Sequence, residues 1–276
     1  MKTDGNMYES HPARKLLLEV ILLFAVIGIF FSGSVSAAEK QGPVSRWVSK
    51  GGYCYFYDKE GKMLTGLQTI GKRQYLFDRD GRQKIGWQKR KGNYYYFGRG
   101  CRWKGAMVRG KNVNHLHLMK NGKAALRSDA DRKRMKLLMT AARIVEEKTR
   151  AGWSTARKMR TVWKYYQSHY LYDGDPTIDL SGSWDVRYAL QTFAQGRASC
   201  EGLGYAWAYL ANACGAKDCV CVHDGGHGWS EIDGKVYDPS WDRVDTRYSY
   251  YGMSLSMSGY NNIPNYAKYG IFRKKV

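Results

Sequence analysis

Three side chains in the C-terminal half have the types and order needed to make and break an acyl bond: Cys200, His227 and Asp238. Cys200 follows Arg197, Ala198 and Ser199 and opens an Ala/Leu/aromatic run of good helix formers that reaches Cys214, with Gly215 where a C-terminal cap belongs. A cysteine at a helix N-terminus meets unpaired amide N–H groups and the positive end of the helix dipole, which favour the thiolate. The thiolate, not the thiol, is the nucleophile. Taken alone, Cys200 reads first as an inert buried cysteine, the usual fate of a free one. The downstream sequence changes that reading. His227 stands in Gly225-Gly226-His227-Gly228-Trp229 and Asp238 in Val236-Tyr237-Asp238-Pro239, so a base and an orienting acid follow the nucleophile in order.

Cys-x-Gly at 200–202, His-x-Trp at 227–229 and Asp-Pro at 238–239 resemble the three signature blocks of the transglutaminase-like superfamily, at spacings of 27 and 11 residues. The resemblance covers roughly Ala130 to Val276, with Ala198 where many members carry glycine. It implies an α+β fold with a papain-like core, a Cys200–His227–Asp238 triad, a thioester intermediate and no cofactor. Resolution of that thioester by water gives a peptidase or amidase; resolution by an amine gives a cross-linking transglutaminase. The backbone N–H of Cys200 would bind the oxyanion, and Tyr172 or Trp184 are candidates for its second donor.

The elements that must hold these groups can be read from periodicity. Apolar residues at Met135, Leu138, Met139, Ala142 and Val145 predict a helix over 132–148. A second helix is expected over 154–170, carrying Met159, Val162, Trp163 and Tyr166 on one face, and a third over 184–195. Trp163, Trp184 and Phe193 read as core on this pattern. After the Cys200 helix the period changes to two: 218–223 alternates as a strand, 228–232 is the next, Asp233-Gly234 a tight turn and 235–237 its partner. His227 and Asp238 then fall near the same end of one hairpin, and a small stagger would bring them together. The tail from Tyr248 is expected to pack as a closing strand or loop.

Residues 47–126 repeat. Tyr55-Phe56, Leu76-Phe77, Tyr96-Phe97 and His117-Leu118 recur at steps of 21, 20 and 21, each pair followed by a glycine. A period near 20 with aromatic pairs and turn glycines predicts a row of β-hairpins that bury their aromatic faces only by stacking, an all-β, solenoid-like module. Gly86-Trp87 and Tyr94-Tyr95-Tyr96-Phe97 give this block a resemblance to the cell-wall-binding repeats of secreted Gram-positive proteins, the type that includes choline-binding modules. Tyr75, Trp87, Tyr94, Tyr95 and Trp103 are the candidate wall-ligand residues. The alternative is that these rings only hold the hairpins together. The predicted organisation is an export segment over 1–38, hairpin repeats over 39–126, a charged linker over 127–135 and the transglutaminase-like domain over 136–276.

Charge and cysteines narrow the setting. The net charge is +21, and 39–126 holds 20 basic against 5 acidic residues, so +15 falls on the repeats. A basic face beside aromatic rings suits an anionic, sugar- or glycerol-phosphate wall polymer, or peptidoglycan itself. Nucleic acid is attracted by the same charge, but Lys2, Arg14 and Lys15, the apolar run Val20–Phe31 and Val35-Ser36-Ala37 read as an export signal, which places the module outside the cell. The partners expected are therefore a wall polymer and a peptide or protein substrate, with no nucleic acid, for a monomer. An uncleaved membrane anchor is the alternative to secretion. With Cys200 as nucleophile, Cys54, Cys101, Cys214, Cys219 and Cys221 are left with open pairing; Cys214 and Cys219 flank one turn and could bridge. Cys219, Cys221 and His223, near His227, offer a zinc alternative, but buried small hydrophobes are the commoner use of strand cysteines and no metal is expected. The two function classes are a secreted wall-associated acyl-transfer enzyme and a non-catalytic wall-binding protein with a vestigial triad.

Overall fold

Each aromatic repeat folds as the hairpin its turn residues demand. β1 (Arg46–Lys50) and β2 (Tyr53–Tyr57) join through Gly51-Gly52, both at positive φ, which matches the right-handed twist of the paired strands. Gly71 alone at positive φ opens the turn from β3 (Gly66–Ile70) to β4 (Arg73–Phe77), which also pairs with β5 (Gln83–Lys84), and Lys91-Gly92, both at positive φ, join β6 (Gly86–Arg90) to β7 (Asn93–Phe97). β8 (Lys111–Val113), β9 (Leu116–Leu118) and β10 (Ala124–Ala125) close the row as a three-stranded sheet. The computed structural model describes residues 44–174, 178–257 and 272–276; the expected export segment, 1–38, lies outside them. No helix among the described residues is long and apolar enough to cross a membrane.

The stacking explains the repeat and corrects part of its reading. Trp47 of the first hairpin meets Tyr75 edge-on at 5.1 Å and lies 5.9 Å from Phe77 in the next; Trp87 meets Tyr96 at 5.1 Å. Tyr75 and Trp87 are therefore buried. Their rings hold hairpins together, so as candidate wall-ligand residues they are withdrawn. Where the fourth repeat loses its aromatic pair, Leu116 and Leu118 fill the interior instead.

A disulfide joins Cys54 of the first hairpin to Cys101 after the third, 47 residues on. A loop of that length, once closed, restricts the unfolded chain. Replacing both cysteines with serine is expected to lower the unfolding free energy by about 2–4 kcal/mol, measured by urea denaturation of the two proteins side by side.

The stretch expected as a linker, 127–135, is instead mostly helix. Ser128 caps α1 (Asp129–Lys148): its hydroxyl accepts the Asp131 N–H, and the Asp131 carboxylate accepts the Ser128 N–H in return. Asp129 and Asp131 in the first turn also suit the helix dipole. α1 buries Met135, Leu138, Ala141 and Val145 on the same core that takes Trp87, Tyr96, Leu116 and Leu118 from the repeats. Gly42–Val276 forms one compact unit.

α2 (Thr155–His169), β11 (Leu171–Tyr172), α3 (Trp184–Gln195), β12 (Arg197–Ala198) and α4 (Cys200–Cys214) follow. α4 is apolar all round, the mark of a helix covered on every side. α1, α2 and α3 pack on it from one side, and a sheet of five antiparallel strands from the other. That sheet runs in the order β16 (Tyr251–Ser254), β15 (Lys235–Tyr237), β14 (Gly228–Ile232), β13 (Cys219–His223) and β17 (Phe272–Lys275). Asp233 and Gly234 turn β14 into β15 with positive φ at both. Trp207, Tyr205 and Tyr209 of α4 have no exposed surface and form the centre of the helix–sheet interface.

Candidate active site

Cys200 is the first residue of α4, half-buried, and the side chain of Ser199 before it makes no capping bond, so the leading amides of the helix are not taken by it. The backbone that delivers the sulfur is fixed by a short parallel pairing, Leu171 with Arg197 and Tyr172 with Ala198. This pairing brings Tyr172 beside the site: burial raises its phenol pKa, and the negative charge on Cys200, Glu201 and Asp238 adds to the effect.

The histidine is placed by a turn. Asp224 Oδ1 accepts the N–H groups of Gly226 and His227 at 2.9 and 2.6 Å, and Asp224 N–H returns a bond to the His227 carbonyl. The acid is placed by the Asp-Pro-Ser-Trp sequence. Asp238 Oδ1 accepts the Ser240 N–H and O–H and the Trp241 N–H, leaving Oδ2 for the His227 Nε2 at 2.6 Å. In the β14–β15 register Ser230 faces Tyr237, which sets Asp238 opposite Trp229, two residues from His227, and the side chains close that gap. The sequence expectation of a small stagger at the end of this hairpin matches what the structure places there.

With Nε2 on Asp238, Cys200 is near enough to the His227 ring for its side chain to act on the imidazole pKa. Burial works against a charged ring here. The Asp238 carboxylate and the bond to Cys200 outweigh it and raise the His227 pKa well above the usual imidazole range. Asp238 is the mirror case: burial pushes its pKa up, but His227, Ser240 and the Trp241 amide hold it below the ordinary carboxylate value. Cys200, His227 and Asp238 thus lie together in one cluster.

Two glycines permit the close approach. A Cβ on Gly204 would lie 2.7 Å from the Trp229 Cα, and one on Gly228 would lie 2.6 Å from the Glu201 Cα. The start of α4 and the strand after His227 touch backbone to backbone, which is the physical reason for glycine in both sequence blocks.

Of the two oxyanion candidates, Trp184 is corrected. It is buried against Tyr205 at 4.8 Å, under the Lys274 ammonium, and serves the core as its periodicity suggested. Tyr172 is half exposed and stays available. Cys219 and Cys221 point into the core, where burial pushes the Cys219 thiol up to about 12 and raises Cys221 well above the usual thiol value, while His223 and His227 face carboxylates; no group of three or more such residues that could hold a metal occurs among the described residues. Cys214 and Cys219, a possible bridge, are both free thiols. Sequence reasoning passed over Glu201, the one acidic residue of α4 and buried beside the sulfur; a lone charge in an apolar helix was the signal.

On the repeats, Tyr94 and Tyr95 are half-buried, Trp103 is 55% exposed, and Lys89 lies over the Tyr94 ring at 5.5 Å. These three rings remain of the five candidates.

Comparison with known proteins bears on this half of the chain. The sequence model of the choline-binding repeat matches residues 64–111. No curated protein matches the chain. Among solved structures it is similar to choline binding protein F from Streptococcus pneumoniae, studied with a peptidoglycan analogue, at 26% identity over 29% of this chain and 26% of that one, TM-score 0.27. It is similar also to a choline binding domain from a second Streptococcus pneumoniae protein, at 24% identity over 30% of this chain and 96% of that one, TM-score 0.27. A third is the modular Cpl-1 endolysin with a peptidoglycan analogue, at 26% identity over 32% of this chain and 26% of that one, TM-score 0.22. The chain thus spans about a quarter of the length of choline binding protein F. The chain carries a choline-binding repeat, and Cys200, His227 and Asp238 lie outside the matched residues.

Proposed function

We propose that this chain is an exported, wall-docked cysteine acyl-transfer enzyme of the papain/transglutaminase-like kind, held to its substrate by choline-binding-type repeats. The observation that carries the catalytic half is the 2.6 Å contact of His227 with a buried Asp238 while the same ring meets Cys200 at a helix start. His227 takes the Cys200 proton and the thiolate attacks an amide carbonyl. The Cys200 N–H, with the Tyr172 hydroxyl, stabilises the oxyanion of the tetrahedral intermediate. His227 then gives the proton to the leaving amine, and a thioester to Cys200 remains. Water or a second amine releases the acyl group. Asp238 holds the tautomer and stabilises the imidazolium throughout.

The binding half is supported by the repeat match at 64–111 and by the charge of +15 over 39–126. Tyr94, Tyr95 and Trp103 beside Lys89 and Arg102 suit a polymer that presents phosphate with a sugar or quaternary ammonium group. A second reading, a wall-binding protein without catalysis, is favoured by the fact that the match stops short of the triad.

One experiment separates the readings. Wild-type protein and Cys200→Ala are incubated with wall sacculi, with and without their anionic polymer, together with a tracer amine. Both proteins are expected to bind equally and to lose retention when the polymer is removed or salt is raised. Only the wild type is expected to release new peptide fragments or tracer conjugates, read by mass. Identical products from both proteins would leave the binder alone standing.

A further inference from the structure

Of the buried acids that the mechanism above leaves unused, one touches the Cys200 sulfur. Glu201, the second residue of α4, is 3% exposed. Its Oε2 accepts a hydrogen bond from the Cys200 thiol at 3.2 Å. Its Oε1 lies 3.6 Å from Nδ1 of His223, a β13 residue that is itself buried and whose Nδ1 has no hydrogen-bond partner. A Cβ on Gly228 would lie 2.6 Å from the Glu201 Cα and Cγ, so β14 passes close against the Glu201 stem. Phe272 of β17, its ring 6.2 Å from that of His223, packs near the imidazole.

The sulfur is therefore held between two groups of opposite effect. The imidazolium of His227 favours the thiolate. A carboxylate at hydrogen-bonding distance favours the thiol, because two adjacent negative charges in a water-poor site repel and the carboxylate accepts the S–H bond. Which effect wins depends on the net charge of the Glu201–His223 pair. With His223 neutral, the pair carries one negative charge. With His223 protonated, the ion pair is neutral and the repulsion on the sulfur is relieved.

Resting on the catalytic reading of Cys200, we propose that Glu201 and His223 form a buried charge gate that sets how readily the nucleophile gives its proton to His227. Glu201 neither gains nor loses a proton in the step. The proton of Cys200 Sγ passes to the His227 ring. Among the described residues, the titratable groups facing Glu201 are Cys200 and Tyr205 from α4, Tyr172 from β11 and His223 from β13, with Asp238 and His227 beyond the sulfur. Glu201 is the charged group against His223. Glu201 and His223 are positioning residues; neither touches the substrate carbonyl.

The test is the rate of iodoacetamide alkylation of Cys200 against pH, in the full chain with the other free cysteines replaced by serine or alanine. Glu201→Gln keeps shape and hydrogen bonding but removes the charge. It is expected to move the midpoint of the profile to lower pH, with about tenfold faster alkylation below the wild-type midpoint. His223→Gln leaves Glu201 uncompensated and is expected to move the midpoint the other way. The double variant should follow Glu201→Gln, because without the charge His223 has nothing to offset. An unmoved profile in Glu201→Gln, or additive effects in the double variant, would overturn the gate. Should Glu201→Gln fail to fold by circular dichroism, the sign of the His223→Gln shift decides alone. A failure of the catalytic reading is distinguishable: there, His227→Ala would leave Cys200 alkylation unchanged.

Discussion

Replacing His227 with alanine is expected to slow acylation of Cys200 by an activated ester at neutral pH by about 10²–10⁴-fold, while Cys200→Ala abolishes it. The ring is the only base in contact with both the sulfur and Asp238 among the described residues. Asp238→Asn should fall in the same range: Ser240 and Trp241 hold the amide oxygen at the Oδ1 position, so its NH2 faces Nε2 as a donor and imposes the wrong tautomer. The pH dependence follows from the directions of the two shifts. His227 has its pKa raised on folding, so its attraction to Asp238 stabilises the protein fully in acid and fades as pH rises through the elevated value. Asp238 has its pKa lowered, so its share is present above the usual carboxylate range and is lost as pH falls through the depressed value. The imidazolium should persist above the pH at which a free histidine deprotonates. A stopped-flow profile of acylation against pH, with circular dichroism to exclude unfolding, measures this. An alkaline limb at the ordinary imidazole position would contradict it.

The second large effect is expected from a single methyl group. Gly228→Ala places a Cβ 2.6 Å from the Glu201 Cα, and this neighbour is backbone, so the two elements must separate. The expected loss of stability is about 1–3 kcal/mol, typical of overpacking. The loss of Cys200 reactivity should be larger in proportion, about 10²-fold, because displacement of the order of an ångström between reacting groups is enough for that. Comparing the urea midpoint with the acylation rate separates the two. A variant that loses stability but keeps its rate would show that the α4–β14 distance does not set the geometry.

Much of this arrangement was legible before any coordinates. The helix opened by Cys200 and closed by Gly215, the His227–Asp238 hairpin and the rows of aromatic hairpins all come from local signals: a period of 3.6 or 2, a cap, a tight turn. What escaped depends on contacts between distant segments. Trp87 and Tyr75 have the composition of a ligand cage, and only the packing of one hairpin on the next, and on α1, turns them inward. Trp184 was assigned both to the core and to the oxyanion, and the fold keeps only the first. The charged run 127–135 looked like a link because its charges are exposed; the Ser128–Asp131 capping box within it marked a helix start instead. Cys54 and Cys101 are paired by the curl of the repeats, which no spacing reveals. Glu201 is next to Cys200 in sequence, but the His223 that faces it comes from a separate strand, which no local pattern reveals.

The buried seam formed by Trp87, Tyr96 and Leu118 against α1 and α4 has a last consequence. An enzyme on a slack tether sweeps every bond within reach of its linker. Here the repeats and the start of α4 belong to one compact unit, so under the proposed function the spacing between wall contact and sulfur is set by the fold. Such a protein selects its target bond by how far it lies from the gripped polymer, as well as by its chemistry. Inserting a flexible spacer near residue 127 would trade that ruler for a leash, and bonds at other depths in the wall would come within range.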